Sequence, residues 1–123
     1  MSNDLFVWWR NKDKQPTREE VGMVIEDFFG EALKESVWSW DRFMVTLQGK
    51  WSHPLRRVLP PEMLHVAQHP SPDDPSWEGR HMEVWLGKDA LDVITRQQDS
   101  FTCFCQRALA QVLGRFWDGK VED

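Results

Sequence analysis

A chain of 123 residues has the size of one domain, and at that length roughly two-thirds of the unfolded surface can be buried without disulfide or metal staples. With 41% hydrophobic and 28% charged residues it is not a disordered chain, and no apolar run is long enough for a membrane span. A net charge of −5 argues against a nucleic-acid partner, because phosphates reward clustered Lys and Arg, and it permits a basic protein partner.

The opening MSNDLFVWWRNKDK has an early acidic residue and only a short apolar run, unlike a secretion signal, so a cytoplasmic location is expected. Within it, DLFVWWR reads as a strand: it is rich in β-favouring residues and too short for a helix. Leu5, Val7 and Trp9 alternate with Phe6, Trp8 and Arg10, so both faces look apolar, the pattern of a central strand covered on both sides. After Pro16, TREE forms a capping box from Thr17 to Glu20. Val21, Val24, Ile25, Phe28 and Ala32 then recur at helical spacing, predicting an amphipathic helix that ends near Lys34. Its other side carries Glu19, Glu26, Asp27, Glu31 and Glu35.

SVWSWDRFMVTLQGKW has the β-branched and aromatic content of one long or two short strands, with Asp41 and Arg42 marking a hairpin turn or a bulge. Six of the seven prolines follow, so residues 53–79 are expected to be an irregular, proline-rich passage. RHMEVWLGKDALDVITR has a hairpin pattern, with Met82, Val84 and Leu86 alternating before a turn at Gly87, Lys88 and Asp89. The final stretch predicts a helix capped by Asp99 or Ser100 and closed by Gly119. Phe101, Phe104, Cys105, Ala108, Val112 and Phe116 would form its buried side, opposite Arg107, Gln111 and Arg115. Residues 1–123 thus read as a single α+β domain. The expected order is β-α-β(β)-loop-β-β-α, with two amphipathic helices on one face of a mainly antiparallel sheet of four or five strands.

Motifs for chemistry are weak. Cys103 and Cys105, two apart in a predicted helix, point to different faces and match neither zinc nor redox spacing, so they read as reduced packing residues. His65 and His69 are four apart, and His53 and His81 could join them, but Val66 stands where a zincin needs Glu. Asp73 with Asp74, or Asp89 with Asp92, could pair for acid and base work, yet turn aspartates explain both. A PD and E-x-K nuclease would need Lys two residues after Glu83, and the next Lys is Lys88. No phosphate-binding glycine loop or nucleophile elbow is present, and no metal or cofactor is expected.

Eight tryptophans are the unusual feature, because Trp serves both as a source of buried area and as a binding anchor. Trp8, Trp9, Trp38, Trp40, Trp85 and Trp117 fall inside predicted elements and are expected in the core. Trp51 and Trp77 flank the proline-rich passage, where core and interface are equally open. The functional expectation is a non-enzymatic protein-binding module such as a small inhibitor, an immunity protein or a phage-encoded accessory protein. It would dock another protein, basic in character, through Glu19, Glu26, Glu31 and Glu35 with Trp51 and Trp77. The alternatives are a self-associating component of a phage or other large particle, and a small enzyme using loop histidines and carboxylates.

Overall fold

β1 (Asn3–Trp9) is followed by a 3-10 turn (Lys12–Lys14) and helix α1 (Arg18–Phe29). Next come β2 (Leu33–Ser39), β3 (Arg42–Leu47), β4 (His81–Leu86), β5 (Ala90–Thr95), helix α2 (Ser100–Phe116) and β6 (Gly119–Glu122). The structure, a computed structural model, describes residues 3–30, 33–47, 80–96 and 100–123, so residues 53–79 of the proline-rich passage lie outside the described residues. None of the described helices is long and apolar enough to cross a membrane.

The capping box at the start of α1 is formed in full. Thr17 Oγ1 accepts from the Glu20 backbone N–H at 3.2 Å, while the Thr17 N–H donates to Glu20 Oε1 at 3.0 Å. The helix buries Val21, Ile25, Phe28 and Phe29, but it stops five residues before the expected end at Lys34. Gly30, at φ 54 and ψ −124, takes a positive-φ conformation open to glycine and donates its N–H to the Glu26 carbonyl, closing the helix. Leu33, Lys34 and Glu35 consequently belong to β2, so Glu35 is not part of an acidic helix.

The described strands form one six-stranded antiparallel sheet in the order β2-β3-β4-β5-β1-β6. That is α+β, with more strands than the four or five expected and an extra strand after the last helix. The DR pair resolves as a hairpin: Ser39 faces Arg42 across the two-residue turn Trp40–Asp41. The β4–β5 hairpin turns at Gly87, Lys88 and Asp89 as expected, with the Gly87 N–H donating to the Ala90 carbonyl at 2.9 Å. On one face, Leu5 and Val7 stand opposite Val93 and Leu91, and Val45 opposite Met82. These residues join Ile25, Phe28 and Phe29 of α1 and Phe104, Leu109 and Leu113 of α2 in a single buried cluster. Both helices therefore cover the same face, where burial of this apolar area is the main stabilising contribution.

α2 packs across β1, β5 and β6, and a buried glutamine fixes its position. Gln106 Nε2 donates to the Asn3 carbonyl at 2.6 Å and to the Val93 carbonyl at 2.8 Å, and Gln106 Oε1 accepts from Asn3 Nδ2 at 3.3 Å. A buried amide with both donors used meets the demand that buried polar groups be paired. Phe104, Cys105 and Ala108 are buried as expected and Val112 packs against the cluster, but Phe116 is 66% exposed. Asp99 and the Phe101 side chain lie outside the described residues. Gly119 does not end the helix. Asp118 takes the positive φ of 50, and Gly119 opens β6 opposite Trp9. A Cβ at Gly119 would lie 2.6 Å from Val7 Cγ1 and 2.9 Å from the Trp9 ring, so close strand approach, not backbone freedom, requires glycine there.

Candidate functional site

The face of the sheet away from both helices is lined by side chains that alternate with the core positions. The register orders them into rows across the strands. One row runs Glu122, Phe6, Asp92, Trp85, Arg42 and Ser39 from β6 to β2. The next runs Asp4, Ile94, Glu83, Met44 and Val37, and a shorter one holds Lys120, Trp8 and Ala90. No described helix lies on this face, and it leaves Val37 48%, Trp8 44% and Met44 37% exposed. The doubly covered central strand expected for β1 is thus, among the described elements, covered on its inner face alone.

Of the six tryptophans expected in the core, Trp9 is buried, and Trp38 and Trp117 pack against its edge. Trp38 lies edge-on to Phe43, with the Arg18 guanidinium 5.2 Å from its ring centroid. Trp8 and Trp85 instead lie on the open face, because strand alternation turns each of them away from its core-facing neighbours. Trp40 is 89% exposed in the β2–β3 turn and has φ 62, a conformation that a bulky side chain normally avoids. The Leu86 N–H donates to the Asp41 carbonyl at 2.9 Å, which ties this turn to the β4–β5 hairpin. Trp8, Trp40 and Trp85 therefore gather at one end of the open face.

Two solvent-open cavities share the wall made by Trp85 and Asp41. One, of about 540 Å³, is bounded also by Trp40 and Arg42. The other, of about 340 Å³, lies among Phe6, Trp8, Trp85 and the carboxylates of Asp89 and Asp92. The Arg42 guanidinium carbon sits 4.4 Å from the Trp85 ring centroid, its Nε is 2.9 Å from Glu83 Oε1, and its Nη1 is 3.7 Å from Asp41 Oδ1. An arginine on an indole face between two carboxylates is a strong way to hold a planar cation.

Asp92 has no such partner among the described residues. Its carboxyl is pushed up to about 6 from 3.8 by burial first, and then by the charge of Asp4, its diagonal neighbour across the β1–β5 ladder. Asp92 Oδ1, Asp4 Oδ1 and Trp85 Nε1 are buried without a hydrogen-bond partner. Asp89, considered above as the mate of Asp92, lies in the hairpin turn 3.3 Å from Lys12 Nζ. The like-charged neighbour of Asp92 is Asp4. Sequence reasoning missed this pair because it depends on which strands are neighbours.

Glu19 and Glu26 lie exposed on α1, Glu35 is on β2, and Glu31, Trp51 and Trp77 lie outside the described residues. Glu19 is engaged locally: a hydrogen bond from its own backbone N–H, and then one from Arg18 Nη2 at 3.0 Å, hold its carboxyl below the usual range. His53, His65 and His69 also lie outside the described residues, and His81 lies on β4. Among the described residues, no three His, Cys, Asp or Glu side chains converge as metal ligands would.

Compared with protein-family models, curated proteins and solved structures, the chain matches none of them.

Proposed function

We propose that this chain is a non-enzymatic protein-binding module, of the kind used as small inhibitors, immunity proteins or phage-encoded accessory proteins. Its docking surface is the open sheet face, and its partner presents basic side chains set among apolar ones. The observation that carries this reading is the combination on one face of exposed Val37, Met44, Trp8 and Trp40 with two carboxylates, Asp4 and Asp92, each with an oxygen that has no hydrogen-bond partner among the described residues. Aromatic anchors near the centre of a patch are what protein interfaces use for most of their energy. Charge selects the partner. A second copy of this −5 chain, laid face to face, would set Asp4 and Asp92 against further carboxylates, whereas a basic surface would complement them.

The strained turn at Trp40 supports the same reading. An indole that is 89% exposed at positive φ contributes little to folding and costs backbone energy, a combination typical of side chains held for contact.

The test is to purify the partner captured by the tagged chain at low salt, reconstitute the complex, and record NMR spectra of the labelled chain with and without it. Signals from the Val37 and Met44 methyls and the Trp8 and Trp85 indoles should move or broaden, and affinity should fall as salt rises. Changes confined to α1 would overturn the open face as the docking surface. Sedimentation showing only concentration-dependent self-association, with no second protein, would favour the assembly reading.

A further inference from the structure

The 340 Å³ cavity differs from its neighbour in one respect that bears on ligand chemistry. The larger cavity already has a guanidinium at its wall, since Arg42 lies on the Trp85 ring and is held by Glu83. The smaller one has no guanidinium at its wall, and the single lysine that lines it, Lys88, stands beside three carboxylates, Asp41, Asp89 and Asp92. Trp8 and Phe6 add further aromatic surface, Asp92 supplies the carboxylate, and Asp92 Oδ1 and Trp85 Nε1 are both left without partners. Trp8 and Trp85 are held apart by strand pairing, since Trp8 faces Ala90, whose small side chain leaves the space open, while Trp85 faces Asp92.

We infer that this cavity receives one arginine side chain of the docked partner, its guanidinium lying between the Trp8 and Trp85 indoles with Asp92 as counter-ion. Arginine suits the site better than lysine for a physical reason. Its planar, weakly hydrated head stacks on an indole while its edge faces a carboxylate, and Arg42 already lies this way within the chain, 4.4 Å from the Trp85 ring centroid with its Nε 2.9 Å from Glu83 Oε1. An ammonium would have to shed a tighter hydration shell to lie between the aromatic walls.

The inference rests on the open face being the docking surface, but the two can fail separately. The probe for the cavity is N-acetyl-arginine amide, titrated into the ¹⁵N-labelled full chain at constant ionic strength while the indole N–H signals are followed. Substitutions Trp8→Phe and Trp85→Phe assign the two signals concerned. The expected result is a saturable shift of both, with a dissociation constant on the order of 10 mM, the weak affinity appropriate to one isolated cationic group. N-acetyl-lysine amide should bind severalfold more weakly, and N-acetyl-glutamate amide should leave both signals in place. Asp92→Asn, nearly identical in shape, should weaken the arginine compound by roughly three- to tenfold through loss of the charge, whereas Met23→Ala, an exposed change on α1, should not affect it. Absence of a saturable shift at Trp8 and Trp85, equal shifts from the glutamate compound, or unchanged affinity in Asp92→Asn would each overturn the inference. If the partner complex still perturbs Val37 and Met44 under any of those outcomes, the docking face stands and only the arginine seat is lost.

Discussion

Replacing Asp92 by Asn should make the protein more stable at neutral pH and leave it unchanged in acid. The carboxyl is pushed up to about 6 from 3.8, so the folded state disfavours the charged form. Well below pH 3.8 the group is protonated whether the chain is folded or not, and it contributes nothing. As pH rises from about 4 to 6 the unfolded chain releases its proton first, so stability falls through that window and is flat above it. A shift of about two pH units corresponds to roughly 3 kcal/mol if taken at face value. Asp92 is only half-buried, however, and solvent screening reduces the expected loss to about 1–1.5 kcal/mol. Urea unfolding of both chains, followed by circular dichroism between pH 4 and 7.5, measures it directly, because every other titrating group is common to the two. The difference should be small at pH 4, roughly a fifth of its full size, half developed near pH 5, and about 1 kcal/mol or slightly more in favour of Asn at pH 7.5. A difference that does not vary with pH, or a less stable Asn variant at pH 7.5, would refute the view that Asp92 is an uncompensated carboxylate.

Gly119→Ala should lower stability by about 1–3 kcal/mol, because the new Cβ meets Val7 and the Trp9 ring at the point where β6 joins β1; a fall in melting temperature checks it. Gln106→Ala removes two donors, from the carbonyl of Asn3 and the buried one of Val93, and leaves a gap beneath α2, a loss of about 2–4 kcal/mol that a lower denaturation midpoint would register. Trp40→Gly should raise stability by up to about 1 kcal/mol by relieving the backbone at φ 62, while weakening binding of the reconstituted partner. Lower stability in that variant, measured by the same unfolding assay, would show that the exposed indole is structural.

The elements with strong local signals were legible without a structure. The Thr17–Glu20 capping box, the apolar stripe of α1 and the hairpin turn at Gly87 all depend on residues close in sequence, and each is formed where its signal lies. The boundaries were less legible. Gly30 ended α1 although Ala32 and Glu35 continue the helical spacing, because a positive φ closes the hydrogen-bond ladder. Gly119 was misread because a glycine past a helix looks the same in sequence whether it frees the backbone or makes room for a neighbouring strand. The second reason is visible only once β6 lies on β1.

The tryptophans separate the two sources of information most clearly. Composition and alternation by themselves determine that this chain folds as α+β with a large aromatic content, because periodicity of two or 3.6 is a property of neighbouring residues. Alternation also places Trp8 and Trp9 on opposite faces of one strand, but it cannot say which face meets the helices. That choice belongs to the tertiary structure: both helices settle on the Val7, Val45 and Val93 side, which leaves Trp8 and Trp85 outside. Likewise, Asp92 is an ordinary strand residue until the order β4-β5-β1 brings Trp85 to one side of it and the β1 residues Phe6 and Asp4 to the other. Its perturbed carboxyl and the cavity beside it arise from contacts between residues some 80 positions apart in the chain, and only the pairing of strands distant in sequence could create them.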